Sequence, residues 1–341
     1  MTPETSPHRQ EVSIAFQTDK TPAEYRELAQ LVNRYAYDVV SVYGDAPFQP
    51  SFGPLMLMAP YIDRARLGPA CVSPSRMPPV DMSGSVALLD HLTGGRAYLG
   101  IARGAWLERH GIRELKPPVT AIRESVEIVR KLLAGIEGAY AGSVFRLEST
   151  VSLPYPVYRA DLPILIGTWG HKLGSLAGEM ADEVKLGGCA NPDMIPVMQG
   201  WIAEGEQRAG RPSGSVGVVV GAVTVVDLDS RAAKNLVKRD LALYLPVVAG
   251  LDPTVPVEPE LLARIAALVE THRHDEAAAL ISDDLLGKFA FAGSPEEILA
   301  RTQQLFEAGA RRVEFGTPHG IRPQDGIRLL GERVLPYLNR R

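Results

Sequence analysis

The chain has 341 residues, 45% of them hydrophobic and 22% charged, with a formal net charge of −4. This is a globular composition, and it excludes the concentrated basic surface of a nucleic-acid binder. The two cysteines, Cys71 and Cys189, lie too far apart for a CxxC metal motif or a disulfide framework, so no metal site is expected and a reducing, cytoplasmic setting is.

Residues 1–10 are expected to form a disordered tail without an apolar signal core. The first β-type run is 12–17. Thr21-Pro22-Ala23-Glu24 then opens a helix with an N-cap threonine, a proline at the first helical position and an acid at N3. The second run is 39–43. The third is 67–73, followed by a helix over 79–92. The fourth is 97–102, with its helix over 120–134 and a small hairpin expected around 142–151. The fifth is 163–168, with a helix over 171–180. The sixth is 183–188, with a helix over 193–209. The seventh is 216–226, with helices over 230–249. A proline-rich stretch and extra helix fill about 250–290. Ser294-Pro295-Glu296-Glu297 then opens an amphipathic helix, and the eighth run, 312–317, precedes a closing helix over 323–338. No run is long enough to cross a membrane.

Eight β-type runs joined by helical crossovers predict an α/β fold, a (β/α)8 TIM barrel spanning 11–341 with an insertion before the eighth strand. No G-x-G-x-x-G follows the first run, which weighs against an open doubly wound sheet. A barrel of this kind works at the C-terminal ends of its strands, so the residues after each run are the candidates. After the fifth run, Gly167-Thr168-Trp169-Gly170-His171-Lys172 leads into a helix. Small residues and a helix N-terminus suit a phosphate, though an ordinary tight turn reads the same way. After the third run, Arg76 sits on a proline-stiffened loop where it can face an anion or simply solvent. After the fourth, Trp106 can stack on a ring or cap the rim, and Glu108 can move a proton. After the second, Asp45 can move a proton or cap a helix. After the eighth, His319 lies between two glycines as a substrate contact or a turn residue.

Several of these segments together resemble the bacterial luciferase-like superfamily, and most of all its F420-dependent methylenetetrahydromethanopterin reductase-like group. The matching pieces are Tyr37-Asp38-Val39-Val40-Ser41-Val42, 67–74, Leu92-Thr93-Gly94-Gly95-Arg96-Ala97-Tyr98-Leu99-Gly100, 163–188 and 293–320. The resemblance implies a hydride-transferring enzyme with a deazaflavin or flavin across the barrel mouth, acting on a small organic substrate, often as a homodimer. It implies a cis peptide at Ala70–Cys71. It assigns cofactor contacts to Ala70, Cys71, Val72, Ser73, Arg103, Gly104, Gly167, Thr168, Gly170, His171 and Lys172. Substrate contacts are expected from Arg76, Trp106 and His319.

The chain departs from the family where many relatives carry an Asp-His or Glu-His pair after the second strand. Here those positions read Gly44-Asp45, and Arg103 stands where several F420 dehydrogenases have a glutamate. That turns the expectation toward reduction of an activated C=C or C=N bond, with Asp45 or solvent as proton donor. Coenzyme F420, FMN as in a luciferase-like monooxygenase, and a flavin-binding barrel without turnover remain the three readings. Arg76, Arg103 and Lys172 favour F420, whose tail is anionic.

Overall fold

A computed structural model describes residues 9–340. The elements run β1 (Glu11–Phe16), α1 (Pro22–Val32), β2 (Val39–Val42), α2 (Phe52–Met58), β3 (Arg66–Pro69), α3 (Pro79–Thr93), β4 (Leu99–Ala102) and α4 (Pro118–Leu133). The hairpin β5 (Tyr140–Ala141) and β6 (Arg146–Leu147) comes next. Then follow β7 (Ile164–Gly167), α5 (His171–Met180), β8 (Glu183–Gly187), α6 (Met194–Ala209), β9 (Gly217–Val226) and α7 (Ser230–Val248). The last part holds α8 (Pro259–Glu270), α9 (His274–Ala279), α10 (Asp283–Phe289), β10 (Phe291–Gly293), α11 (Pro295–Glu307), β11 (Arg312–His319) and α12 (Pro323–Leu329).

The parallel strands pair in the order β3-β2-β1-β11-β9-β8-β7-β4. The two ends of that series meet through parallel bridges, Leu67 to Ala97 and Val72 to Ile101, and close the barrel. All eight expected runs are strands of this wall. Two elements were not anticipated: α2, and β10, which pairs with the last residues of β9. Of the expected tail, residues 1–8 lie outside the described residues, while Arg9 reaches Asp38 at 2.9 Å. Among the described residues, no helix is long and apolar enough to cross a membrane.

Local chemistry sets the helix starts. Thr21 and Ser294 each form a reciprocal capping box with the glutamate three residues on, Glu24 and Glu297. The 250–290 stretch folds into α8–α10, which pack with α7 around Val237, Leu241, Leu245, Ile265 and Phe289. Buried Asn191, just beyond β8, bonds Asp252 and Thr254 at 2.8 Å each and accepts from Lys288 at 3.1 Å. That knot fastens the helical stretch to the barrel's C-terminal end.

The barrel interior is layered. At the N-terminal end Arg66 pairs with Glu11 and lies 3.3 Å from Glu183, which also meets Arg312 at 3.0 Å. Above this floor Val39, Tyr98, Leu165 and Val219 form a dry plug. Polar groups return above the plug, toward the mouth.

Candidate active site at the barrel mouth

The loop after β2 begins the site. A Cβ at Gly44 would fall 2.2 Å from the Cys71 carbonyl oxygen, so the two loops touch only because position 44 has no side chain. Asp45 is half-buried beyond it. Arg76, from the loop after β3, donates to the Gly44 carbonyl. Burial raises the Asp45 carboxyl above the usual aspartate range. The opposing fields of Lys185 and Arg76 and a hydrogen bond from Gln17 do not cancel that rise. The structure therefore brings Asp45 and Arg76 together from separate loops.

The Ala70–Cys71 peptide is cis, as the resemblance implies. The Cys71 side chain enters the barrel beside the backbone of Gly100 and Gly167; a Cβ on Gly167 would lie 2.9 Å from its sulfur. Burial pushes the Cys71 thiol up to about 12, so it is neutral and inert near pH 7. Val72 extends the wall by accepting from Ala102 N at 2.9 Å. Ser73 donates to the Arg103 carbonyl at 2.6 Å and packs under Gly104, whose φ is +95°. These residues join the loops after β3 and β4.

The Arg103 side chain is turned to Glu114, with one contact at 3.0 Å. Trp106 and Glu108 are exposed on the same loop. Together with Arg103 and Glu114 they line a recess of about 300 Å³.

At the end of β7, Thr168 Oγ1 accepts from Gly170 N at 2.9 Å and shapes the turn into α5. Trp169 Nε1 donates to the Gly187 carbonyl at 2.8 Å, locking this turn to β8. No side chain caps α5 and no acid stands in its first turn, so its amide N–H groups and partial positive charge face outward. A Cβ at Gly170 would meet only Thr168 Oγ1, at 3.8 Å, and one at Gly187 would meet nothing within 4 Å. Gly187 shares the inward face of β8 with Glu183 and Lys185, so this empty volume lies over the mouth. The mouth thus presents two open glycine positions, a shallow bowl, beside an uncapped helix start, an arrangement chemically suited to a planar ligand with an anionic group. Lys172 is exposed at that rim. His171 does not face the bowl: its Nε2 lies 2.7 Å from Glu204 and its ring packs on Trp201.

His319 is also placed elsewhere. It is 1% exposed, its Nε2 is 3.1 Å from the Ala15 carbonyl, and its ring lies against Phe16. Burial and the Lys20 charge lower its pKa to about 4, so it is a neutral wall residue and not a substrate contact. The expectation failed because β11 runs on through His319, which turns the side chain inward between β1 and β11.

Sequence reasoning missed the ionised groups beneath the bowl. Lys185 on β8 pairs with Glu314 on β11, and its ammonium lies 5.2 Å from the Tyr43 ring centroid. The signal was present: Glu183-Val-Lys185 and Arg312-Val-Glu314 alternate charge with apolar residues inside strands whose two faces are both covered.

The family model described as luciferase-like monooxygenase matches residues 4–312. The 5,10-methylenetetrahydromethanopterin reductase of Archaeoglobus fulgidus is 27% identical over 336 residues, 95% of this chain and 98% of that protein. The coenzyme F420-dependent tetrahydromethanopterin reductase structure from Methanopyrus kandleri superposes with a TM-score of 0.86 at 24% identity, covering 97% of this chain and 99% of that one. A type II Baeyer–Villiger monooxygenase from Pseudomonas putida, in complex with FMN, superposes with a TM-score of 0.67 at 16% identity, covering 97% and 99%.

Proposed function

The chain belongs to the luciferase-like monooxygenase family, and on that premise we propose that it is an F420-dependent oxidoreductase that reduces an activated C=C or C=N bond of a small organic substrate. The observation that carries this reading is the open bowl at Gly170 and Gly187 beside the uncapped start of α5. Its 27% identity over 84% of the chain to a protein of Mycobacterium tuberculosis described as a putative coenzyme F420-dependent oxidoreductase supports F420 over FMN.

When bound, reduced F420 supplies the hydride. The chain's own groups do the rest. The amides at the start of α5, with Thr168, Gly170 and Lys172, would hold the phosphate. Ala70, Cys71 and Val72, with Gly167, would hold the ring. Ser73, Arg103 and Gly104 would bound it from the loops after β3 and β4, with the Arg103 guanidinium kept in place by Glu114. Arg76 and Trp106 border the substrate's approach. Asp45 supplies the proton that balances hydride addition. It is better placed than Glu108, because it stands over the mouth and its carboxyl is raised while Glu108 is exposed on the outer loop.

The test is a titration of purified protein with F420 and, separately, with FMN, followed by tryptophan fluorescence. Micromolar binding of F420 and none of FMN is expected, with Trp169 reporting. Binding of FMN alone overturns the F420 reading in favour of a monooxygenase, and binding of neither points to a barrel without this chemistry. Gly170→Asp places a carboxylate at the phosphate position and is expected to weaken F420 binding by about 100-fold. Unchanged affinity removes the α5 start from the site.

A further inference from the structure

Beneath the mouth, the Lys185 ammonium is bound by a buried carboxylate, Glu314. Glu314 is fully buried on β11. Its Oε2 accepts from Ser41 at 2.7 Å and from Ser13 at 3.2 Å, which leaves Oε1 for the Lys185 ammonium. Ser41 is itself fixed by Tyr98, 2.8 Å away. Lys185 thus lies between Glu314 and the face of Tyr43, held from two sides. Asp45 stands two residues past Tyr43. Gln17, just after β1, hydrogen-bonds it; the charges of Arg76, from the loop after β3, and Lys185, from β8, act on it; and its own charge reaches Tyr43, just after β2, and Cys71. Arg76 is occupied by the Gly44 carbonyl and Lys185 by Glu314. Among the described residues, neither cation forms an ion pair with Asp45.

We propose that the Lys185–Glu314 pair positions the proton on Asp45: Glu314 holds the Lys185 ammonium against the face of Tyr43 and out of an ion pair with Asp45, which leaves the Asp45 carboxyl free to carry a proton. Lys185 and Glu314 are positioning residues, because they act on the proton through Asp45 and touch no reacting atom. The physical basis is that a free cation within about 4–6 Å of a carboxylate lowers its pKa by about 1–3 units, whereas a close anion beside the cation offsets part of its field. The carboxyls behave accordingly. Burial raises both Asp45 and Glu314; at Glu314 the charges of Lys185 and Arg312 and the hydrogen bonds from Lys185 and Ser41 together outweigh it, whereas at Asp45 Lys185, Arg76 and Gln17 together do not. The use of this proton rests on the reductase reading; the coupling itself does not.

The test is an NMR pH titration of protein labelled with 13C at the aspartate carboxyl, without added cofactor, with the Asp45 signal identified by its loss in Asp45→Asn. In Glu314→Gln the freed Lys185 turns to Asp45, and the Asp45 midpoint is expected to fall by about one unit or more. In Lys185→Met the midpoint is expected to rise. In the double variant it is expected to stay near that of Lys185→Met, since Glu314 acts through the lysine. A midpoint that does not fall in Glu314→Gln, or that falls equally in both backgrounds, overturns the proposal. Should Glu314→Gln fail to fold, a midpoint in Lys185→Met that falls or stays fixed overturns it alone. F420 titrations of the same proteins separate the two claims. Binding without the coupling refutes only the coupling, and the coupling without binding refutes only the reductase reading.

Discussion

The two ends of the barrel interior hold the same kinds of residue and treat them in opposite ways. At the floor, Glu183 is buried between Arg66 and Arg312; burial raises its carboxyl, but the two guanidinium groups outweigh burial and hold it below the usual glutamate range. At the mouth, Asp45 is also pushed up by burial, and there the nearby cations lose. The difference is one of commitment. Floor arginines are spent on the floor carboxylates, so that end is a closed electrostatic plug. The mouth lysine is spent on Glu314, and Asp45 is left facing the bowl. A buried charge is tolerable only when paired; the floor carboxylate has its partners, whereas the mouth carboxyl has no ion-pair partner among the described residues and is pushed toward its neutral form.

The largest expected effect comes from breaking the floor. Arg312→Met leaves Glu183 with half of its compensation, and breaking a buried pair in this way typically costs about 3–5 kcal/mol. Urea unfolding at pH 7 measures it, and a loss below about 1 kcal/mol would mean that the floor is a spectator. F420 binding by the folded fraction is expected to survive, because the floor lies below the dry plug.

A second prediction uses His319, in the wall near the mouth. Its folded pKa of about 4 lies below its unfolded value of 6.5. The stability that comes from keeping it neutral is therefore complete above pH 6.5. It is lost as pH falls toward 4, because the unfolded chain takes up the proton first. The loss amounts to at most about 3 kcal/mol, on the scale of 1.36 kcal/mol per unit. His319→Gln is expected to flatten the fall in stability between pH 7 and pH 4.5. An equally steep fall in the variant would assign that acid sensitivity to other groups.

The smallest effect sharpens the contrast most directly. Asp45 has a raised folded pKa, so its ionisation opposes folding above that value and costs nothing below the ordinary aspartate range. Asp45→Asn is expected to stabilise the protein modestly at pH 8 and to leave it unchanged at pH 3.5. Calorimetric melting at both values checks this, and destabilisation at pH 8 would show that Asp45 is a paired structural carboxylate like Glu183.

Much of the architecture was legible because it depends on local rules. The eight apolar runs, the capping boxes at Thr21 and Ser294, and the start and end of α5 follow from periodicity and from backbone groups that need partners nearby in sequence. The glycines around 167–170 also announced themselves as places where backbone can approach a ligand. The missed features are non-local. Alternating charge along β8 and β11 ordinarily marks a solvent face, and only closure of the barrel turns that face inward. His319 looked like a free turn residue until β11 was seen to continue through it. His171 looked like a phosphate ligand until α6 brought Glu204 beside it.

The sequence by itself therefore determined that this chain is a barrel of alternating strands and helices, and where glycines stand at the strand ends. Tertiary structure alone decided which charged groups meet inside it. Pairing of Lys185 with Glu314, of Glu183 with Arg312, and of Arg76 with the Gly44 carbonyl joins residues far apart along the chain. Their protonation is set by burial and by neighbours within a few ångströms, and those distances exist only once the strands have closed.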